Sequence, residues 1–172
     1  MAKLKVAGFA KNSTVDGPGI RYTIFAQGCY HNCIGCHNQQ THDPNGGYFV
    51  DIEDIYKEIL ESTMYSGVTF SGGEPFLQAD ALTELANKIK SNPDNELDII
   101  CYTGFTYEEI LQIIKDGCFS YSRLLSSIDY LIDGQFEQDK ASLDCLWRGS
   151  TNQRIIDVKE SLKTNSIVET EL

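Results

Sequence analysis

The sequence contains no apolar run as long as the roughly 20 residues that a membrane-spanning helix requires. Its N-terminal segment also lacks the apolar stretch and the small-residue cleavage site of a secretion signal. These two absences argue against an integral membrane protein and against a secreted one. We therefore expect a cytoplasmic protein that makes no contact with membranes.

Basic residues are scarce, because 14 Lys and Arg stand against 25 Asp and Glu and the net charge is -11. A surface with this balance repels phosphate backbones, so nucleic acid is not an expected partner. Proline is limited to 4 residues, whereas hydrophobic residues make up 41% of the chain, which excludes a disordered or collagen-like protein. The 172 residues therefore suit a single globular domain.

Short apolar strands alternate with amphipathic helices along the chain. The predicted elements are, in order, the strand 21–28, the helix 51–64, the strand beginning at Gly67, the helix containing Leu82 and Ile89, the strand 97–104, the helix 106–117 and the strand beginning at Ile128. Such alternation with short links is typical of right-handed βαβ units. We therefore predict an α/β fold with a mostly parallel sheet, either open or curled into part of a barrel, and with ligands at the carboxyl ends of its strands.

Two local features complete the prediction of the fold. Thr106 and Glu109 have the spacing of a capping box at the start of a helix. Residues 1–160 contain all the predicted elements, so we assign them to one domain. Residues 161–172 are polar and have no clear periodicity, so we expect a frayed tail from Ser161 onward.

Three of the six cysteines, Cys29, Cys33 and Cys36, lie in the segment GCYHNCIGCHN directly after the first predicted strand. Because the cytosol keeps thiols reduced, grouped cysteines there serve metal binding or catalysis and not disulfides. Three thiolates are one ligand fewer than a structural zinc site or an iron-sulfur cubane usually takes from its protein. The loop therefore predicts a metal centre with one open coordination position.

Two simpler interpretations compete with this one. In the first, the chain is a zinc-binding interaction module, and the fourth zinc ligand is one of His31, His37 and His42. In the second, the three thiols are unconnected and buried, which fits poorly with a polar loop that should face solvent. The remaining cysteines are predicted to be packing residues and lie at Cys101, Cys118 and Cys145.

The pattern CxxxCxxC, followed further along the chain by a strand that ends in GGEP, resembles the radical S-adenosylmethionine (SAM) superfamily. The resemblance implies a partial (β/α) barrel of the radical SAM type, with helices on its outer face. It also implies that Cys29, Cys33 and Cys36 bind a [4Fe-4S] cluster, whose fourth iron chelates the amino and carboxylate groups of SAM. Because Gly35 stands where the superfamily commonly has an aromatic residue, the adenine contact is expected from His37 or from the backbone around Gly35.

The segment TFSGGEP places polar groups at the end of a strand. Gly72 and Gly73 allow the backbone to approach a ligand closely, and their amides are predicted hydrogen-bond donors. The Ser71 hydroxyl adds a donor and acceptor, and Glu74 adds a negative charge. By itself, a Gly-Gly turn followed by Glu and Pro is an ordinary turn. Together with the cysteine loop, the resemblance implies that these four residues hold the amino group of SAM.

Further segments narrow the resemblance to one family. DGPGIR at 16–21 resembles the segment that precedes the cluster in enzymes that install glycyl radicals. CYTGFTYEEI at 101–110, LIDGQF and LWRGSTNQRIID at 146–157 resemble the members that activate the anaerobic ribonucleotide reductase. This implies reductive cleavage of SAM and hydrogen abstraction from a glycine of the reductase, with an external one-electron donor such as a flavodoxin-type protein. The nearest alternative is the activation of another glycyl-radical enzyme.

Two arginines of the last segment, Arg148 and Arg154, are candidate docking residues. In a chain of net charge -11, a compact loop with two guanidinium groups suits the carboxylates of a partner or an anionic group of a ligand. Without such a role, the loop is an ordinary polar surface. No serine-histidine or paired-carboxylate arrangement is evident, which agrees with hydrogen-atom abstraction, because that reaction needs no acid or base catalyst. We therefore predict no catalytic residue beyond the cluster and SAM.

Overall fold

The computed structural model describes residues 2–172, which form one sheet of seven strands with five α-helices. The strands are β1 (Lys3–Ser13), β2 (Arg21–Ala26), β3 (Tyr48–Asp51), β4 (Gly67–Gly72), β5 (Asp98–Tyr102), β6 (Tyr130–Asp133) and β7 (Arg154–Asp157). The helices are α1 (Ile52–Leu60), α2 (Ala79–Ser91), α3 (Tyr107–Lys115), α4 (Phe119–Ser127) and α5 (Val158–Thr164). Short 3-10 turns cover Gln39–Thr41, Pro75–Gln78 and Gln138–Lys140. None of the helices in residues 2–172 has the length and apolar composition of a membrane span.

The strands follow the order β3-β1-β2-β4-β5-β6-β7 across the sheet. The four central strands, β2, β4, β5 and β6, run parallel and are connected through helices. Both edges are antiparallel, with β1 and β3 on one side and β7 on the other. The α/β class is therefore confirmed. The prediction of a mostly parallel sheet is wrong, since three of the six pairings are antiparallel.

The main source of this difference is β1, which the apolar pattern does not reveal. Only Leu4 and Val6 are fully buried apolar residues in this strand of 11 residues, and apart from Phe9 the rest of its sequence is small or polar. Because β1 is linked to β2 without an intervening helix, it pairs with β2 antiparallel. On its other side, β1 pairs antiparallel with β3. The sheet therefore has two additional strands, β3 and β1, beside β2 at one edge of its parallel part.

The two faces of the sheet differ in polarity, as β4 illustrates. Val68 and Phe70 point to one face and are fully buried in a core that contains apolar residues of all five helices. Thr69 and Ser71, at the alternate positions, belong to the opposite and more polar face. Cys101 in β5 lies in the same core as Val68, so its predicted packing role is confirmed. The helices therefore cover one face of the sheet, and the polar face remains for a ligand site.

Helix α3 begins as predicted, and a second helix follows it directly. Thr106 and Glu109 form the capping box, in which Thr106 Oγ1 accepts from Glu109 N at 3.2 Å and Glu109 Oε2 accepts from Thr106 N at 2.7 Å. The chain then turns at Gly117, which has φ +105°. The apolar residues of the serine-rich α4 have too weak a helical periodicity to indicate a helix, although the helix buries Leu124 and Leu125.

The end of the chain is more ordered than the frayed tail predicted from Ser161. Ser161 is buried inside α5, and its hydroxyl oxygen accepts a hydrogen bond from Val168 N at 2.9 Å. Beyond the helix, Glu169 forms a β-bridge with Ile156 of β7. The prediction of a frayed tail is therefore wrong, because the backbone of this segment bonds to the Ser161 side chain of the helix and to the backbone of the edge strand.

Asp129, directly before β6, connects the sheet to two helices. Its carboxylate accepts hydrogen bonds from Ile99 N at 2.7 Å, from Lys159 Nζ at 2.6 Å and from Lys90 Nζ. Burial acts to raise the pKa of Asp129, but the hydrogen bonds from both lysines and the amide outweigh burial and hold the pKa below its ordinary value. The ionised carboxylate therefore stabilises the folded state.

We expect Asp129→Asn to lower the free energy of unfolding near pH 7 by about 1.5–3 kcal/mol, the usual contribution of hydrogen bonds to a charged group. Because the folded-state pKa of Asp129 is depressed, the stabilisation is present above the unfolded-state pKa of about 3.9 and is lost as the pH falls through the lower folded-state pKa. Urea unfolding of both proteins at a series of pH values measures the difference. A difference that persists unchanged at the most acidic values would contradict the assigned role.

Candidate functional site

Three loops meet at the carboxyl ends of the parallel strands, and one buried carboxylate joins them. Glu74 lies in the turn after β4 and is fully buried. It accepts hydrogen bonds from Thr103 Oγ1 and from Gly104 N, both at 2.9 Å, in the turn after β5. It also lies 2.7 Å from His31 Nε2 in the cysteine loop after β2. The three segments therefore converge on one sheet edge, at the carboxyl ends of the strands where a ligand site is expected.

A cavity of about 1240 Å³ opens beside these loops. Small-molecule sites typically measure about 300–1,000 Å³, so this cavity has room for a metal cluster together with a ligand. Its wall combines the cysteine loop, the strand ends and the loop before β7. The lining residues that bear on the predicted site are Cys29, Cys33, Cys36, His37, Ser71, Gly72, Gly73 and Arg148.

The three cysteines of the loop face this cavity, and each is half-buried. Burial raises the pKa of Cys29 and of Cys33, while backbone hydrogen bonds from His31 to Cys29 and from Phe136 to Cys33 act in the opposite direction. The thiols of Cys29 and Cys33 are therefore protonated at neutral pH. Metal binding must release these protons, because the thiolate is the ligand.

A single metal ion and a cluster make different demands on the arrangement of their ligands. Within the described residues, 2–172, no three Cys, His, Asp or Glu side chains converge closely enough to bind one metal ion. Zinc requires such convergence, because it holds each sulfur at about 2.3 Å. A cubane binds each thiolate through a different iron, so its ligands stand further apart. Residues 2–172 therefore contain no preformed site for a single ion, and the three thiols remain candidate ligands of a cluster.

Two of the histidines near the thiols have different partners, one a thiol and the other a carboxylate. His42 Nε2 lies 3.3 Å from Cys36 Sγ, which accepts a further hydrogen bond from Asn38 N at 3.4 Å. His31 points away toward Glu74. Of the scattered cysteines, Cys118 lies at the start of α4 with its sulfur 3.3 Å from Ser120 Oγ, and Cys145 lines the cavity.

The glycines of the turn after β4 allow two strand ends to pack closely. Gly72 has φ +95°, and a Cβ there would overlap the backbone of β2. Gly73 N donates to Ala26 O at 2.8 Å, and Glu74 N donates to Gly28 O at 2.8 Å. The amides of Gly73 and Glu74 are thus already bonded within the protein. The prediction that the amides of this turn bind a ligand is therefore wrong for Gly73.

Glu74 is also placed differently from the prediction. Ser71, Gly72 and Gly73 line the cavity, but Glu74 is buried behind its wall. Its side chain caps the 3-10 turn Pro75–Gln78 by accepting from Phe76 N at 3.0 Å, which directs the carboxylate toward the protein interior. The structure therefore does not offer this carboxylate to a ligand in the cavity, contrary to the predicted contact with an amino group.

The two residues expected near the adenine differ in position. His37 lines the cavity, and its ring lies 5.3 Å from the ring of Phe136, measured between centroids. Gly35 does not line the cavity, and a Cβ there would lie 3.1 Å from the side chain of Gln138. The structure thus adds an aromatic residue, Phe136, that the sequence pattern did not indicate, and it favours His37 over the backbone of Gly35.

The two arginines have different surroundings. Arg148 lines the cavity, donates a hydrogen bond to Gln153 O at 3.2 Å and has a buried Nε without a partner among residues 2–172. Arg154 forms ion pairs with Asp133 at 2.5 Å and with Glu108 at 2.7 Å, and these carboxylates raise its pKa. The prediction that both arginines are available for docking is therefore corrected, because the charge of Arg154 is neutralised within the fold.

A buried arginine on the polar face of the sheet was not identified as important from the sequence. Arg21 is fully buried, donates to Thr69 Oγ1 at 2.7 Å and to Val68 O at 3.0 Å, and pairs with Asp98 at 2.5 Å. Thr69 Oγ1 donates in turn to Asp16 O at 2.8 Å. Arg21 thereby anchors the loop that begins at Asp16, a residue of the cavity wall. In the sequence, Arg21 ends the segment DGPGIR and begins an apolar strand, and neither position indicates that its guanidinium is buried.

Comparisons with known proteins match most of the chain. Residues 15–156 match a protein family described as a 4Fe-4S single cluster domain. An anaerobic ribonucleoside-triphosphate reductase-activating protein from Vibrio cholerae is 38% identical over 148 residues, which cover 82% of this chain and 90% of the relative. A protein of the same name from Enterobacteria phage T4 is 32% identical over 146 residues, which cover 82% of this chain and 86% of the relative.

A second group of relatives matches a shorter part. The pyruvate formate-lyase 1-activating enzyme of Escherichia coli is 44% identical over 81 residues. These residues are 44% of this chain and 33% of that enzyme. The similarity to the first group therefore extends over nearly twice as much of this chain.

Proposed function

This chain belongs to the family of anaerobic ribonucleoside-triphosphate reductase-activating proteins, and from that membership we propose that it is the enzyme that activates an anaerobic ribonucleotide reductase. Activation consists of the reductive cleavage of SAM and the abstraction of a hydrogen atom from a glycine of the reductase, which leaves a glycyl radical. The observation that carries the proposal is the loop of three cysteines, whose thiols face one cavity large enough for a cluster and SAM.

Cys29, Cys33 and Cys36 would hold a [4Fe-4S] cluster with one iron free of protein ligands. When bound, such a cluster supplies an electron to the sulfonium group of SAM. The chain holds the three thiols at the carboxyl end of β2, and their half-buried position keeps them within reach of an external donor. We propose a one-electron donor of the flavodoxin type.

SAM is assigned to the part of the cavity between the cysteine loop and the turn after β4. Ser71 and the backbone of Gly72 and Gly73 line this part and supply acceptor oxygens for the amino group of SAM. His37 and Phe136 supply aromatic rings for the adenine. Arg148 supplies a positive charge for an anionic group of the ligand or for a carboxylate of the reductase.

The reductase must insert its glycine into the cavity, because hydrogen abstraction requires reacting atoms about 3–3.5 Å apart. We assign the fold to a partial (β/α) barrel whose open side, between the edge strands β3 and β7, admits this segment. Val15, Leu143 and Leu146 are exposed apolar residues of the cavity wall. Exposed apolar groups of this kind support contact with a protein partner.

Anaerobic reconstitution with iron and sulfide, followed by reduction in the presence of SAM and an anaerobic ribonucleotide reductase, tests the proposal. We expect brown protein with about four iron atoms per chain, formation of 5'-deoxyadenosine, and an electron paramagnetic resonance signal of a glycyl radical on the reductase. Colourless protein with one zinc per chain would refute the proposal and indicate the interaction module.

Pyruvate formate-lyase is the matched control substrate, because the enzyme that activates it is also similar to part of this chain. A radical on the reductase and none on the lyase is the expected result. A radical on the lyase alone would preserve the proposed chemistry and assign this chain to the other partner.

A further inference from the structure

His31 lies between two of the cluster cysteines, and its side chain anchors the loop to the sheet edge. The imidazole is 12% exposed, and its Nε2 lies 2.7 Å from Glu74 Oε2. Phe76 N, Thr103 Oγ1 and Gly104 N also point at this carboxylate. Because a carboxylate surrounded by donors acts only as an acceptor, Nε2 of His31 carries a proton and donates to it.

Packing holds the same ring in a slot formed by the turn after β5. The ring of Phe105 lies 4.7 Å away between centroids, in an edge-on arrangement at 77°. Gly104 faces the imidazole so closely that a Cβ at this position would overlap it. The orientation of His31 is therefore determined both by its hydrogen bond to Glu74 and by the shape of the slot.

The second ring nitrogen of His31, Nδ1, faces the side chain of Gln135. With the proton on Nε2, Nδ1 is the acceptor for Gln135 Nε2, which lies 3.4 Å away. This bond orients the Gln135 amide so that its Oε1 lies 4.0 Å from Cys33 Sγ. A continuous series of contacts thus runs from Glu74 through His31 and Gln135 to Cys33.

The backbone of the loop has few contacts of its own in this region. Gly28 N donates to Thr41 O at 2.7 Å and Cys29 N donates to His42 O at 3.1 Å, which fixes the two ends of the loop. Between residues 29 and 38 the structure contains no helix or strand. The positions of the thiols therefore depend on side-chain anchors, of which His31 is the most buried residue between Cys29 and Cys33.

We propose that His31 is a positioning residue, held by Glu74, that keeps the cysteine loop in the conformation in which its three thiols bind the cluster. Glu74 contributes through His31 and not through contact with SAM. The inference rests on the proposed function, since it assumes that Cys29, Cys33 and Cys36 hold a cluster. In metal sites, residues that orient the ligands without touching the metal commonly affect affinity strongly.

The first test compares three variants of His31 after anaerobic reconstitution, with the rate of iron loss to a chelator as the readout. We expect His31→Ala to lose iron about 10–100-fold faster than the wild type, as is typical when an orienting partner is removed. His31→Gln places an amide N–H near the position of Nε2 and should restore most of the retention. His31→Leu fills similar space without a donor and should not. Equal retention by the Leu and Gln variants would overturn the inference.

The second test asks whether Glu74 acts through His31. Glu74→Gln introduces an NH₂ group among the donors of Thr103 and Gly104, so it also releases His31. If the two residues form one unit, the double variant His31→Ala/Glu74→Gln loses iron no faster than the faster of the single variants. If the double variant instead lost iron at a rate increased by the product of the two single fold-increases, the inference would be contradicted.

Urea unfolding of the metal-free variants is the control for general stability. We expect the free energies of unfolding of the His31 variants to stay close together while their iron retention differs. If the wild type itself retains no iron, the proposed function fails and the inference fails with it. If the wild type retains iron and His31→Ala retains it equally well, only the inference fails.

Discussion

Replacing Cys29, Cys33 or Cys36 with alanine is expected to abolish cluster binding, SAM cleavage and reductase activation together. Each substitution removes one of the three proposed protein ligands, and even residues that only orient metal ligands contribute about 10–100-fold to affinity or activity. The loss should therefore exceed about 100-fold for each variant. The measurements are iron and sulfide content, the visible absorption of the reconstituted protein, and the yield of 5'-deoxyadenosine.

Cys118→Ala is the matched control, because this thiol is also half-buried but lies at the start of α4 and does not line the cavity. The control should retain the brown colour and full SAM cleavage. A variant of Cys29, Cys33 or Cys36 that keeps both the absorption and the cleavage activity would show that this cysteine is not a ligand.

Arg21→Met is expected to lower the free energy of unfolding by about 3–5 kcal/mol, the usual cost of removing one partner of a buried ion pair. The guanidinium is fully buried, and its loss leaves the side chain of Thr69 and the carbonyl of Val68 without their donor. The pair with Asp98 is lost as well. Urea unfolding at neutral pH measures the change, and the loop at Asp16 should become more accessible to proteases.

Arg123→Met is the matched control for this substitution. Its ion pair with Asp80 is exposed, with side-chain exposures of 58% and 73%, and exposed pairs contribute about 0–1 kcal/mol. If both variants lost the same stability, the assignment of Arg21 as an anchor of the cavity wall would be wrong.

Much of the fold and site was predictable, because the signals lie within short stretches of sequence. The strand before Cys29 is indicated by its β-branched and aromatic residues, and the glycine after it marks its end. The capping box of α3 needs only Thr106 and Glu109. The meeting of the cysteine loop with the turns after β4 and β5 follows from a general property of parallel strands, whose carboxyl ends share one edge.

Two of the errors concern charged residues of the candidate site that have distant partners. Arg154 was predicted to be a docking residue because the local sequence does not show that its guanidinium pairs with Asp133, which lies 21 residues away. Glu74 was predicted to contact a ligand because the local sequence does not show its internal partner, His31, which lies 43 residues earlier. In both cases a charged side chain found an internal partner that the local pattern did not contain.

The order of residues along this chain was sufficient to indicate the cysteine loop as a candidate metal site, the alternation of strands and helices, and the family resemblance, because each depends on residue types at short spacings. The folded arrangement was needed to assign Glu74 to His31, Arg154 to Asp133 and Glu108, and Arg21 to Asp98. The reason is physical: a buried charge must find its partner wherever the sheet brings one within hydrogen-bond distance. Strand order and register bring the two partners together, and the number of residues between them in the sequence does not reveal that contact.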